Sequence, residues 1–103
     1  NIISEQLQLD SVDILKKIGQ MIRTSKENTI LAIGAKIGDK AHLLVAISDD
    51  LIKLKKYNAG EIISDAAKYI KGGGGGQPFM AVAGGSKPDG IHAALKRIRE
   101  LIS

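Results

Sequence analysis

This chain predicts a small α/β domain of the α+β type, a mixed sheet of about four strands with helices packed on it. Three observations carry that expectation. The chain has 103 residues, 44% of them hydrophobic and 25% charged, which suits one soluble core rather than two. Apolar residues recur at helical spacing toward both ends. Between those segments lie two aliphatic runs joined by Gly38-Asp39-Lys40, the sequence mark of a hairpin.

Ile2, Ile3, Leu7 and Leu9, mixed with polar residues, predict a short first strand. Asp10 or Ser11 then caps a helix by accepting from its first free N–H groups. That helix buries Ile14, Leu15, Ile18, Met21 and Ile22 and turns Lys16, Lys17, Gln20 and Arg23 outward. The runs Thr29–Ile37 and Ala41–Ser48 follow as the hairpin, with so few polar residues that helices should cover both of its faces. Ser48 reads as the cap of a second helix. Asp49 and Asp50 suit its positive end, Leu51, Ile52 and Leu54 anchor it, and Lys53, Lys55 and Lys56 cluster near its end. Asn58-Ala59-Gly60 breaks the chain before a third helix, from about Glu61 to Lys71, that buries Ile62, Ile63, Ala66, Ala67 and Ile70. Gly72 to Gly76 read as a loop, Met80 to Ala83 as a strand, and Ile91, Leu95, Ile98 and Ile102 as the inner stripe of a last helix. The predicted order is β-α-β-β-α-α-loop-β-α, a single domain over residues 1–103. The chain opens on Asn1, and it is expected to be the C-terminal fragment of a longer protein.

Composition excludes several chemistries. With no cysteine there is no disulfide, thiol nucleophile or cysteine-held zinc. The only histidines, His42 and His92, fall on a predicted strand and a predicted helix, so neither a metal site nor a catalytic constellation is expected. No apolar run approaches the roughly 20 residues of a membrane helix, and no membrane association is expected. The charge is uneven. Residues 1–50 hold six Lys/Arg against seven Asp/Glu, a net of −1, and residues 51–103 hold nine against four, a net of +5. A basic half is the footprint of a partner that carries negative charge, although a solvated lysine-rich surface reads the same way.

The five consecutive glycines dominate the sequence. Glycine in regular structure is roughly 0.5–1 kcal/mol less favourable than alanine, so the run implies a constraint that side chains would violate. One such constraint is a tight turn with positive φ; the other is close approach of another molecule. Exposed successive N–H groups in a turn form a nest that binds phosphate. The run is not a Walker loop, because Gln77-Pro78 stands where Lys-Ser/Thr is needed. It is not a dinucleotide fingerprint either, because it follows a helix. The bland alternative is a helix C-cap at Gly72 and a slack connection.

The segment Gly72-Gly73-Gly74-Gly75-Gly76-Gln77-Pro78-Phe79-Met80-Ala81-Val82-Ala83-Gly84-Gly85 resembles the signature of the DHH-associated domain. It is closest to the version at the C-terminus of alanyl-tRNA synthetases, which typically reads GGGGGRPDMAQAGG and leads into a helix with an Ala-Leu pair, here Ala94-Leu95. Asn58-Ala59-Gly60-Glu61-Ile62 resembles that family's step into the preceding helix. Gln77, Phe79 and Val82 depart from the usual Arg, Asp and Gln, which removes one cation and two polar groups. Phe79 is either a core anchor or a stacking surface.

The resemblance implies a module that grips the outer corner of an alanine-specific tRNA while other domains of a cytoplasmic, ATP-dependent synthetase charge and edit it. ATP and zinc are then expected only in those other domains, no cofactor is expected in this fragment, and a homodimer of the parent is an open expectation. The RNA-binding residues implied are Gly72, Gly73, Gly74, Gly75, Gly76 and Gln77, the flanking Lys68 and Lys71, and Gly84, Gly85 and Lys87. Lys53, Lys55 and Lys56 form an outer ring. Two alternatives remain. One is the substrate lobe of a DHH-type phosphoesterase, against which Gln77 stands where that group carries a histidine. The other is a dimerisation or interdomain-packing module, whose mark would be an exposed apolar face on the Ile14–Ile22 helix.

Overall fold

The computed structural model describes residues 2–25, 27–54 and 57–102. Five strands form one sheet in the order β1-β2-β3-β5-β4: β1 (Ile2–Gln8), β2 (Ile30–Ile37), β3 (Lys40–Ile47), β4 (Gly72–Gln77) and β5 (Met80–Gly85). β1 runs parallel to β2, and every other pairing is antiparallel. The parallel pair needs a crossover, which α1 (Val12–Ser25) supplies. The hairpin β2–β3 turns at Gly38, whose φ of 63° is open to glycine. The helices α2 (Asp49–Lys53), α3 (Ala59–Ala66) and α4 (Ile91–Ile102) complete the molecule, with short 3-10 turns at Ala67–Ile70 and Pro88–Gly90.

The fold class is as predicted, but the sheet has five strands rather than four, because the glycine run is a strand and not a loop. Two apolar layers sandwich that sheet. On one face, Leu15 of α1 packs with Leu31, Ile33, Ala35, Leu44 and Ala46. On the other, α3 and α4 bury Ile63, Ile91 and Ile98 against Leu43, Val45, Ala81 and Ala83. Alternate residues of β2 and β3 therefore serve opposite cores, which is why neither run shows polar alternation. Gly34 lets α4 lie close on β2: a Cβ there would stand 2.2 Å from Ile91 Cγ2. Among the described residues no helix is long and apolar enough to cross a membrane.

Four local expectations are corrected. The inner face of α1 centres on Leu15 and Gly19, while Ile14 is 41% and Met21 66% exposed. Gly19 sets this phase, because its missing side chain brings the helix down onto Leu44 and Met80. Ser48 starts α2 without a side-chain cap. Its buried Oγ instead accepts from Thr29 N–H at 3.0 Å and donates to Asp50 Oδ1 at 2.6 Å, tying the end of β3 to the start of β2. Leu54 does not anchor α2 but is 60% exposed. Asn58 caps α3 by accepting from Glu61 N–H, and α3 starts two residues earlier than predicted, at Ala59.

Candidate functional site

All six residues of β4 are exposed. The strand forms the sheet edge opposite β1, with β5 on its inner side. Its glycines fall into two classes. A Cβ on Gly72 would stand 2.0 Å from Gly84 O, one on Gly74 2.3 Å from Val82 O, and one on Gly76 2.7 Å from Met80 O. These three are glycine because β4 lies too close to β5 for any side chain. A Cβ on Gly73 or Gly75 would meet nothing within 4 Å. They lie on the other face of the strand, in register with Gly84 and Val82. The positive φ expected of a tight turn is absent from Gly72 to Gly75; it occurs at Lys71 (53°) and Gly76 (157°). A nest of convergent N–H groups is therefore not formed, since an extended strand points successive amides in opposite directions. α3 covers part of the outward edge: Ser64 Oγ donates to Gly74 O at 3.4 Å, and Gly60 passes close to Gly76 O.

The cations separate into two places. Lys71 ends the 3-10 turn that contains Lys68, its N–H donating to Lys68 O, and Lys87 N–H donates to Ile70 O. Gly84 and Gly85 lie opposite Gly73 and Gly72, so they return the chain beside the run. Lys68, Lys71 and Lys87, all exposed, thus gather at the start of β4. Lys53 does not join them. It lies on α2, which follows the end of β3, and that end is in register with Met80 at the far end of the β4–β5 hairpin. Lys55 and Lys56 lie outside the described residues. Gln77 is exposed at the hairpin end, beside Pro78-Phe79.

Phe79 is neither a core anchor nor a free stacking surface. It occupies the two-residue turn between β4 and β5, half-buried, with the Arg23 guanidinium 4.1 Å above its ring. Arg23 Nε also lies 3.3 Å from Asp49 Oδ1, so the turn is fastened to α1 and α2. Among the described residues no three His, Asp or Glu side chains are grouped as metal ligands.

Comparison with known proteins decides the family. The DHHA1 domain model matches residues 2–103. The chain belongs to the DHHA1 family. It is 41% identical over 99 residues to an alanine–tRNA ligase of Pediococcus pentosaceus, covering 96% of this chain and 11% of that protein. It is 40% identical over 102 residues to one from Christiangramia forsetii, covering 99% of this chain and 12% of the relative. The DHHA1 chain thus spans about an eighth or less of the curated relatives it matches. The crystal structure of the C-Ala domain from Aquifex aeolicus alanyl-tRNA synthetase superposes with a TM-score of 0.89 at 28% identity, covering 99% of this chain and 90% of that one. This DHHA1 domain has the C-Ala fold.

Two further side chains stand on the Gly73 face of the sheet. His42 on β3 is in register with Gly84, and Lys40 lies two residues earlier on the same face. Period two from Leu44, which faces α1, puts His42 and Lys40 on that face; His42 lay within the predicted strand Ala41–Ser48, whereas Lys40 was predicted in the connection before it.

Proposed function

We propose that this DHHA1 domain is the tRNA-binding C-terminal module of an alanine–tRNA ligase, and that the sheet face bearing Gly73 and Gly75 meets the outer corner of the tRNA. One observation carries the reading. Gly73 and Gly75 are glycine although the fold leaves each open space for a side chain, so the constraint on them comes from outside the chain. Lys68, Lys71 and Lys87 put positive charge at one end of that surface, where an RNA backbone would lie. The alanine–tRNA ligase relatives and the C-Ala likeness point to the same class of partner. The module positions tRNA for other domains, where ATP-dependent charging and zinc-dependent editing take place, and it carries no catalytic residue of its own.

Titration with alanine tRNA at several salt concentrations tests this. Binding should fall with salt, and Lys71→Ala should weaken it and make the log–log slope shallower by about 0.7–0.9, one neutralised phosphate. Lys53→Ala, at the far end of the hairpin, should leave the slope unchanged. Equal slopes for Lys71→Ala and the wild type would exclude this surface.

A second reading has its own observation. Ile14 and Met21 lie on one side of α1 and are 41% and 66% exposed, so that side of the helix is suited to pack on another domain of the parent protein.

A further inference from the structure

Opposite Gly73 the face continues inward without a side chain for one more strand, at Gly84, while Val82 stands opposite Gly75. Gly73, Gly84 and His42 form one row across β4, β5 and β3, and residues paired across strands share a face. Gly84 belongs with the glycines that the fold does not require: a Cβ there would make only ordinary contacts, 3.4 Å to His42 Cε1 and Nδ1. Gly72, Gly74, Gly76 and Gly85, their immediate neighbours, would each clash with main chain below 3 Å. The three glycines that nothing internal demands are therefore contiguous and on one face.

The row has the form of a step. Two inter-strand spacings, about 10 Å, separate the Cα positions of Gly73 and His42. The floor at Gly73 is bare peptide, and the imidazole rises from β3 and leans over Gly84 as the inner wall. Among the described residues no hydrogen bond engages either ring nitrogen of the half-buried His42. Such a shelf does not suit a phosphate. The main-chain donors of β4 lie in the sheet plane, toward β5 or out from the edge, and the face above shows flat peptide groups. A planar ring fits it, with the imidazole as stacking or hydrogen-bonding partner, as aromatic side chains serve for unstacked RNA bases. Lys40, two residues from His42 on that face and exposed, stands where the adjoining phosphate would pass.

We infer that Gly73, Gly84 and His42 form the seat of one unstacked nucleobase, with His42 as the residue that contacts it. The inference rests on the RNA-binding reading above and adds to it a contact from β3, outside the glycine signature. The experiment compares alanine tRNA binding by the wild type, His42→Ala, His42→Phe and Gly75→Val. It also follows the His42 Cε1–H resonance of the wild type during addition of a short single-stranded oligoribonucleotide or an abasic oligonucleotide of equal length. His42→Ala should bind tRNA about tenfold more weakly with an unchanged salt slope, because no phosphate contact is removed. His42→Phe should retain most of the affinity. The resonance should move with the base-bearing strand and stay with the abasic one. Equal movement with both strands overturns the seat, and so does wild-type affinity in His42→Ala while Gly75→Val has lost binding. Absence of any tRNA binding by the wild type would instead remove the RNA-binding reading, and the seat with it.

Discussion

Alanine placed at Gly74 and at Gly75 should have opposite effects on stability, although the two positions are adjacent, exposed and identical in sequence context. At Gly75 the new methyl enters open space on a residue whose φ is not positive. The substitution then acts through the unfolded chain, removing backbone freedom, and should stabilise by about 0.4–1 kcal/mol. At Gly74 the Cβ would stand 2.3 Å from Val82 O and 2.5 Å from Ala83 Cα. Reaching ordinary contact requires β4 to move about 1 Å off β5. That weakens about two ladder hydrogen bonds at about 1 kcal/mol each and adds packing strain of about 1–3 kcal/mol, so Gly74→Ala should lose about 3–5 kcal/mol. At roughly 4–8 °C per kcal/mol for a domain of this size, the two variants should melt more than about 10 °C apart, Gly75→Ala above the wild type and Gly74→Ala below. Thermal unfolding followed by circular dichroism measures this directly. Melting temperatures within about 3 °C of each other would refute the close approach of β4 to β5, and with it the division of the glycines on which the functional reading rests.

Further expectations concern other parts of the fold. Ser48→Ala leaves the buried Thr29 N–H without its acceptor and should cost about 1–3 kcal/mol in urea unfolding; a change under 0.5 kcal/mol would show that Ser48 does not hold the two strands together. Arg97 grips Asp65 through Nε at 2.9 Å and Nη2 at 3.2 Å, and its hydrogen bonds, then its charge, hold the Asp65 carboxyl below the ordinary aspartate range. A lowered carboxylate pKa contributes stability above the unfolded value, about 3.9, which is lost as pH falls through the folded value. Asp65→Asn should therefore be less stable than the wild type at neutral pH and converge with it below about pH 4, and a gap that persists in acid would exclude this pair as the cause. Ile14→Gln and Met21→Gln should change the stability of the isolated domain by less than about 0.5 kcal/mol, because both side chains are exposed and neither belongs to a buried cluster; a larger loss on denaturation would place them in the core after all.

Much of the fold was legible because the usual signals were present: the β2–β3 hairpin in its aliphatic runs, α3 in the apolar set Ile62, Ile63, Ala66, and α4 in the stripe from Ile91 to Ile102. The fifth strand was not, for a physical reason. Strands are recognised by side-chain alternation and by β-branched residues, and five glycines offer neither. A signal was nonetheless present in Met80-Ala81-Val82-Ala83-Gly84-Gly85, a six-residue run separated from the segment Gly72 to Gln77 by only Pro78-Phe79, which is the spacing of a two-residue hairpin turn. The phase of α1 was misread because Gly19, its closest contact with the sheet, is invisible to a count of apolar residues. Ser48 was misread because the same hydroxyl that can cap a helix can also receive an amide from a distant strand. The gathering of Lys68, Lys71 and Lys87 beside the glycines was legible from adjacency. The exclusion of Lys53 was not, because it depends on which end of β3 leads into α2.

The strand also changes what the glycine run can do for a ligand. Five glycines in a free loop would have to be ordered on binding, at roughly 1–2 kcal/mol of backbone entropy per residue, and glycine lies at the costly end of that range. In β4 that ordering is already accomplished by folding, through the ladder with β5 and the cover of α3. A ligand then meets a rigid surface and loses only its own freedom, which is the advantage of preorganisation. The two cases differ measurably before any RNA is added. A loop would exchange its amide hydrogens at the rate of open chain and become protected only in the complex. A strand should show protection at the β4 amides that pair with β5 in the free domain, with little further change when tRNA binds. Hydrogen exchange of the glycine amides, followed by NMR in the free and tRNA-bound domain, separates them. Open-chain exchange in the free domain would mean that β4 forms only on binding, and that the bare face is created by the ligand rather than presented to it.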